Sequence, residues 1–156
     1  MIQLTETIWI GNSEDEMSVD VDDFGIGGIL NVAQDLHGTR GWGNGVEYMQ
    51  VGLIDGPGNT IRLYCAVVLG LAALIERCKR VLVCCHDGGR SLAAALMYLN
   101  LVGGQWRPDP TGWSHWPTWE ERLGVICDTV SVDLPTVHKA HIEAFSKIPW
   151  GLLEVI

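Results

Sequence analysis

The stretch from Val81 to Ser91, V-L-V-C-C-H-D-G-G-R-S, constrains this chain more than any other. Val81, Leu82 and Val83 form a β-branched and apolar run of the kind that makes a short buried strand. Two cysteines, a histidine, an aspartate and two glycines follow. Arg90 and Ser91 then open an apolar segment, Leu92 to Leu101, whose alanines and leucines read as a buried helix. A strand, a glycine loop and a helix N-terminus in that order turn loop amides and the helix dipole toward one point, which suits an anion. A thiol at the start of such a loop sits in a field that favours its thiolate. An arginine at its end offers a planar fork for two phosphate oxygens. Reading the cysteines as ordinary core residues leaves an arginine at the mouth of an apolar helix without a purpose.

Cys84, five intervening residues, Arg90 and Ser91 match the C-x5-R-[ST] signature, and the surrounding chain resembles the small dual-specificity branch of the cysteine-dependent protein phosphatases. The resemblance implies an α/β fold, with a central, mostly parallel sheet of about four to five strands flanked by helices. Two registers of the loop are open. With Cys84 as nucleophile the loop has the family length, but Val83 stands where the family has histidine and Asp87 where it has glycine. With Cys85 as nucleophile Gly88 falls in the family's glycine position, but the loop is one residue short. Loop length sets how many amides converge, whereas a left-handed backbone at the third position is tolerated by aspartate. Cys84 is therefore the preferred nucleophile and Cys85 the alternative.

Composition sets outer limits. A length of 156 residues with 47% hydrophobic side chains suits one catalytic domain over 1–156 with a substantial core. A net charge of −9 argues against a nucleic-acid surface and against anionic membranes. No apolar run is long enough for a bilayer span, and no basic leader precedes an apolar stretch. Five cysteines, two of them adjacent, do not form a disulfide framework, so the expected location is the reduced cytoplasm.

Along the chain, Thr5 to Ile10 reads as an edge strand ending at Gly11-Asn12. Ser13 to Asp23 carries six acidic residues and reads as a solvated helix or loop. Ile29 to Ala33 is an expected central strand. Asp35 to Gly45 is a glycine-rich loop carrying His37, Arg40 and Trp42; the family's equivalent loop borders the active site, which makes Arg40 a candidate second anion contact. Val46 to Leu53 reads as a strand leading into I-D-G-P-G-N, a rigid exposed turn. The family carries its general acid at that place, and Asp55 fits it. Ile61 to Lys79 is an apolar helix whose basic C-terminal end suits the helix dipole, with Cys65 and Cys78 as packing residues. Gly103 to Trp119 holds Trp106, Trp113, Trp116 and Trp119, four of the seven tryptophans, and reads as a packed cap or contact surface away from the site. Pro117 to Cys127 reads as a helix, with Thr118 as its cap. Leu134-Pro135 and Val137 to Phe145 resemble the family's closing segment, without the arginine the family has before that proline.

The resemblance implies a two-step hydrolysis of phosphate monoesters. Cys84 attacks phosphorus, and Arg90 with the amides of Cys85, His86, Asp87, Gly88 and Gly89 holds the phosphate. Asp55 protonates the leaving oxygen, and Ser91 assists departure of the sulfur. No metal and no cofactor is expected: Cys84, Cys85 and His86 lie too close together to be tetrahedral ligands from one loop. The expected partner is a phosphorylated protein or peptide, on tyrosine and also on serine or threonine, with phosphate or another oxyanion in the site. The loop lacks the lysines of phosphoinositide phosphatases, and Asp87 adds negative charge. Two other readings stay open: a rhodanese-like sulfurtransferase using Cys85 and the short loop, and an anion-binding pseudophosphatase.

Overall fold

The computed structural model describes residues 1–18, 21–36, 45–102 and 118–153. Five strands form one sheet: β1 (Ile2–Gln3), β2 (Ile8–Gly11), β3 (Gly28–Ala33), β4 (Glu47–Leu53) and β5 (Val81–Cys84), in the order β1-β2-β5-β3-β4. β1 runs antiparallel to β2, and every other pairing is parallel. β5 lies at the centre, with Leu82 opposite Trp9 on one side and Ile29 on the other. All four of its residues are buried, the usual state of a central parallel strand covered on both faces. The expected α/β architecture is thus observed, with one change of position. The strand after Thr5 is not an edge, because β1 folds back over it through Leu4 and Thr5 amides that both donate to the Ile8 carbonyl.

Strand alternation sends Val81 and Val83 into the main core with Ile8, Ile10, Leu30 and Val32, beneath α3 (Ile61–Cys78) and α4 (Gly89–Val102). Leu82 and Cys84 point to the opposite face, in a small cluster with Ile26 and Ile29. That face is approached by α1 (Ser13–Ser18), and α2 (Val21–Phe24) follows it. The acidic stretch is not uniformly solvated, since Glu16 is buried. α5 (Trp119–Val130), α6 (Lys139–Ala144) and α7 (Trp150–Leu153) complete the described elements.

The helix boundaries follow from caps. Thr60 precedes α3, and its hydroxyl accepts from the Leu63 amide. Thr118 begins α5 with a capping box in which the Thr118 amide donates to the Glu121 carboxylate. α4 starts at Gly89, not at Leu92, so Arg90 and Ser91 belong to its first turn. Of the four tryptophans in that segment only Trp119 lies among the described residues, packed against the core. Among the described residues no helix is long and apolar enough to cross a membrane.

Candidate active site

Past β5 the chain leaves the sheet at its C-terminal edge, where the Cys85 amide donates to the Gly11 carbonyl at 3.4 Å. Cys85 has the same parity as Val81 and Val83, so its side chain lies on the α4 side. Its Sγ accepts hydrogen bonds from the Gly88 amide at 3.1 Å and the Ser91 amide at 3.4 Å. The Ser91 hydroxyl stands 3.6 Å from the same sulfur and also reaches the Gly88 and Gly11 carbonyls. Gly88 has φ +93°, a left-handed conformation that lets its amide turn inward. Gly89 is needed for space: a Cβ there would collide with the Thr136 carbonyl of the closing segment. The sulfur thus sits at the N-terminus of a fourteen-residue helix, held by two amides.

Cys84, the preferred nucleophile from loop length, is not in this cradle. Its Sγ lies on the far face of the sheet, 3.7 Å from the Leu30 carbonyl. Burial, and after it the nearby Glu16 carboxylate, hold the Cys84 thiol far above the ordinary cysteine range. The cradle therefore runs from Cys85 to Arg90, one residue shorter than the C-x5-R reading requires.

Arg90 is 2% exposed. Its Nη1 donates to Asp35 Oδ1 at 2.7 Å and to the Leu53 carbonyl at 2.8 Å, while Nε is buried without a hydrogen-bond partner among the described residues. One side of the fork is thus tied to the turn after β3 and to the end of β4. Asp35 was not expected as a site residue. It follows β3 at the carboxyl edge of the parallel sheet, where α/β folds place their ligands, and that position was its only signal in the sequence. The turn that carries it is pinned from the sheet. Asn31 Nδ2 donates to the Leu36 carbonyl at 2.6 Å, and Gln50 Nε2 to the Ala33 carbonyl at 3.0 Å. The hydrogen bond from Arg90 holds the Asp35 carboxyl below its ordinary range. Because the Asp35 side chain is 62% exposed, the pair orients Arg90 more than it stabilises the fold.

His86 turns outward, its Nε2 3.4 Å from Asp35 Oδ2. Asp87 folds back into the loop, where Oδ1 accepts the Gly89 amide at 3.1 Å and lies 3.7 Å from the Cys85 sulfur. It therefore takes up one amide of the cradle and brings a carboxylate beside the thiol. Arg40, His37 and Trp42 fall outside the described residues.

Asp55 sits two residues beyond Leu53, whose carbonyl touches Arg90. Its turn is clasped by Asn59: Oδ1 accepts the Ile54 amide at 2.8 Å, and Nδ2 donates to the Ile54 carbonyl at 2.8 Å. Gly56 and Gly58, at φ +131° and +110°, supply the left-handed positions of this turn. Asp55 is half exposed, and its Oδ1 lies 3.4 Å from Nε2 of the fully buried His141.

No family model matches the chain, and no curated protein matches it in sequence. Solved structures do. The phosphatase domain of Yvh1 from Chaetomium thermophilum superposes with a TM-score of 0.71 at 14% identity, over 90% of this chain and 88% of its own. DUSP15 gives 0.70 at 16% identity, over 99% and 90%. OH1 from the Orf virus, a tyrosine phosphatase described as having triple substrate specificity, gives 0.63 at 24% identity, over 94% and 83%. The chain has the dual-specificity phosphatase fold.

In this phosphatase fold the carboxyl edge of the sheet gathers Cys85, Arg90, Ser91, Asp87 and Asp35 around one loop. Asp55 lies on the adjoining turn. Sequence reasoning missed Asp35, Asn59, Tyr64 and His141. The first lies 55 residues from Arg90, and His141 lies 86 residues from Asp55, so no local pattern joins either pair.

Two outcomes follow from this geometry. Gly89→Ala should destabilise the protein by about 1–3 kcal/mol, the usual cost of forcing a methyl against fixed backbone; a denaturant midpoint equal to wild type would contradict the close Thr136 contact. Burial lowers the His141 pKa below its ordinary 6.5, an effect that Asp55 only partly opposes. Below 6.5 the unfolded chain then binds a proton that the folded chain resists. This contribution to stability is complete above that value and is lost as the pH falls through the folded pKa. Thermal midpoints between pH 7 and pH 5 should fall less in His141→Gln than in wild type, and equal falls would remove His141 from the acid response.

Proposed function

We propose that this protein hydrolyses phosphate monoesters of proteins or peptides, phosphotyrosine and also phosphoserine or phosphothreonine, with Cys85 as nucleophile. The observation that carries this reading is the Cys85 sulfur, held by the Gly88 and Ser91 amides at the head of α4, with Arg90 anchored and its buried Nε unpaired. In the first step the thiolate forms a bond to phosphorus while the bond to the leaving oxygen breaks. Asp55 gives that oxygen a proton. Loop amides and the Arg90 fork carry the charge of the equatorial oxygens. In the second step water attacks phosphorus, Asp55 takes a proton from it, and the sulfur–phosphorus bond breaks. The Ser91 hydroxyl, within reach of the sulfur, assists the departing thiolate.

Charge around the loop supports a simple monoester over a polyanionic headgroup. Asp35 and Asp87 both place carboxylates at the cradle, so each further phosphate on a substrate adds repulsion.

A second reading rests on the length of the cradle. From Cys85 to Arg90 it has the short form that goes with sulfur transfer in rhodanese-like domains. Hydrolysis of p-nitrophenyl phosphate measured beside thiosulfate:cyanide transfer separates the two. Turnover in the second assay alone would replace the phosphatase reading.

Cys85→Ser should abolish phosphate release, and Cys84→Ser should keep most of it. A folded Cys84→Ser protein without activity would return the nucleophile to Cys84. Asp55→Asn should slow hydrolysis of a phosphotyrosine peptide by roughly 10²–10⁴-fold, the usual general-acid contribution, and a highly activated aryl phosphate much less. It should also remove the alkaline limb of the pH–rate profile. Equal losses on both esters with that limb intact would shift the role to another acid, with Asp87 first in line.

A further inference from the structure

Behind Asp55 runs a part-buried chain of hydrogen bonds. Asn59 Nδ2 lies 3.5 Å from the Tyr64 hydroxyl, which is 2.8 Å from His141 Nδ1; His141 Nε2 is 3.4 Å from Asp55 Oδ1. The four groups come from the turn after β4, from α3 and from α6. The direction of the chain follows from donor count. The Asp55 carboxylate can only accept, so a neutral imidazole facing it carries its proton on Nε2 and leaves Nδ1 to accept from the Tyr64 hydroxyl.

We infer that His141, fixed in its Nε2–H tautomer by Tyr64, is a positioning residue that occupies Asp55 Oδ1 and thereby confines the transferable proton of Asp55 to Oδ2. This rests on the assignment of Asp55 as general acid. A carboxyl with two free oxygens holds its proton on either, and only one faces the leaving group at a time. With Oδ1 engaged by a buried donor, the acid presents the same oxygen in both steps, as proton donor in the first and acceptor in the second. The imidazole must stay neutral to hold this arrangement. Its surroundings favour that: it is fully buried, with the His138 ring at 6.0 Å from its own α6 side and the Arg90 charge from α4. Asp55 opposes them in part, and Tyr64 faces it as a neutral hydroxyl. The turn itself is already shaped by Asn59, so loss of the imidazole hydrogen bond leaves the Asp55 backbone in place.

The test is a series of aryl phosphates with phenols of increasing pKa, measured on wild type, His141→Leu, His141→Gln and Tyr64→Phe, with the thermal midpoint of each. His141→Leu should steepen the dependence of kcat/KM on leaving-group pKa. The rate on phenyl phosphate should fall by roughly tenfold, a fraction of the general-acid contribution, with little change on a dinitrophenyl ester. His141→Gln, which keeps a donor, should recover most of the loss, and Tyr64→Phe should steepen the slope in the same direction. In an Asp55→Asn background His141→Leu should add no further loss on phenyl phosphate, as expected of two groups that act as one. A wild-type slope in both His141→Leu and Tyr64→Phe overturns the inference, as does an equal loss with Asp55 already replaced. Should His141→Leu fail to fold, Tyr64→Phe decides between the same outcomes. No turnover of any aryl phosphate by the wild-type protein overturns the phosphatase reading and this inference with it; turnover with an unchanged slope overturns this inference alone.

Discussion

Everything at this site depends on the parity of one central strand. β5 is hydrogen-bonded on both sides and buried on both faces, so its side chains must alternate between two filled layers. Val81 and Val83 fill the layer under α3 and α4, and Cys85 continues that row to the point where the strand ends. Slipping the chain by one residue would bring Cys84 to the cradle. It would also move every valine of β5 out of the main core and drive Leu82 into it. The preference for Cys84 by loop length loses to this packing constraint. The result is a shorter cradle, with the Cys84 thiol buried on the far face immediately before it.

The chain is acidic, yet it gathers positive potential at this loop. Amides of the loop and the dipole of α4 supply positive potential without formal charge. Arg90 supplies the full positive charge found there among the described residues, and Asp35 and the Leu53 carbonyl hold it by one nitrogen. Asp35 is thus the counterpart of Arg90. Asp87 is different, because it occupies the Gly89 amide and approaches the sulfur directly. The Asp87 carboxylate thus takes for itself one of the donors that the loop turns inward.

The acid turn is built on a different principle from the cradle. Asn59 replaces missing backbone partners on both sides of Ile54, and the glycines allow a bend that other residues resist. Beneath it, Tyr64 and His141 form a polar pair inside an apolar region. Buried polar groups persist when each has a partner, and here each does.

The sequence by itself determined the strand, loop and helix around Arg90, the α/β architecture and the turn that carries Asp55. These are short-range properties: β-branched runs, glycines at bends, caps such as Thr118, and apolar periodicity within single elements. It did not determine which cysteine faces the loop. Both faces of β5 are buried, so hydrophobicity carries no label for the face that α4 covers. Nor did it reveal Asp35 as the partner of Arg90, or His141 behind Asp55. Those pairs join residues far apart in the chain, and only the parallel sheet order, with α4 and α6 packed beside it, brings them within hydrogen-bonding reach. Tertiary structure decided them because a hydrogen bond depends on distance and direction in space, while sequence patterns record only distance along the chain.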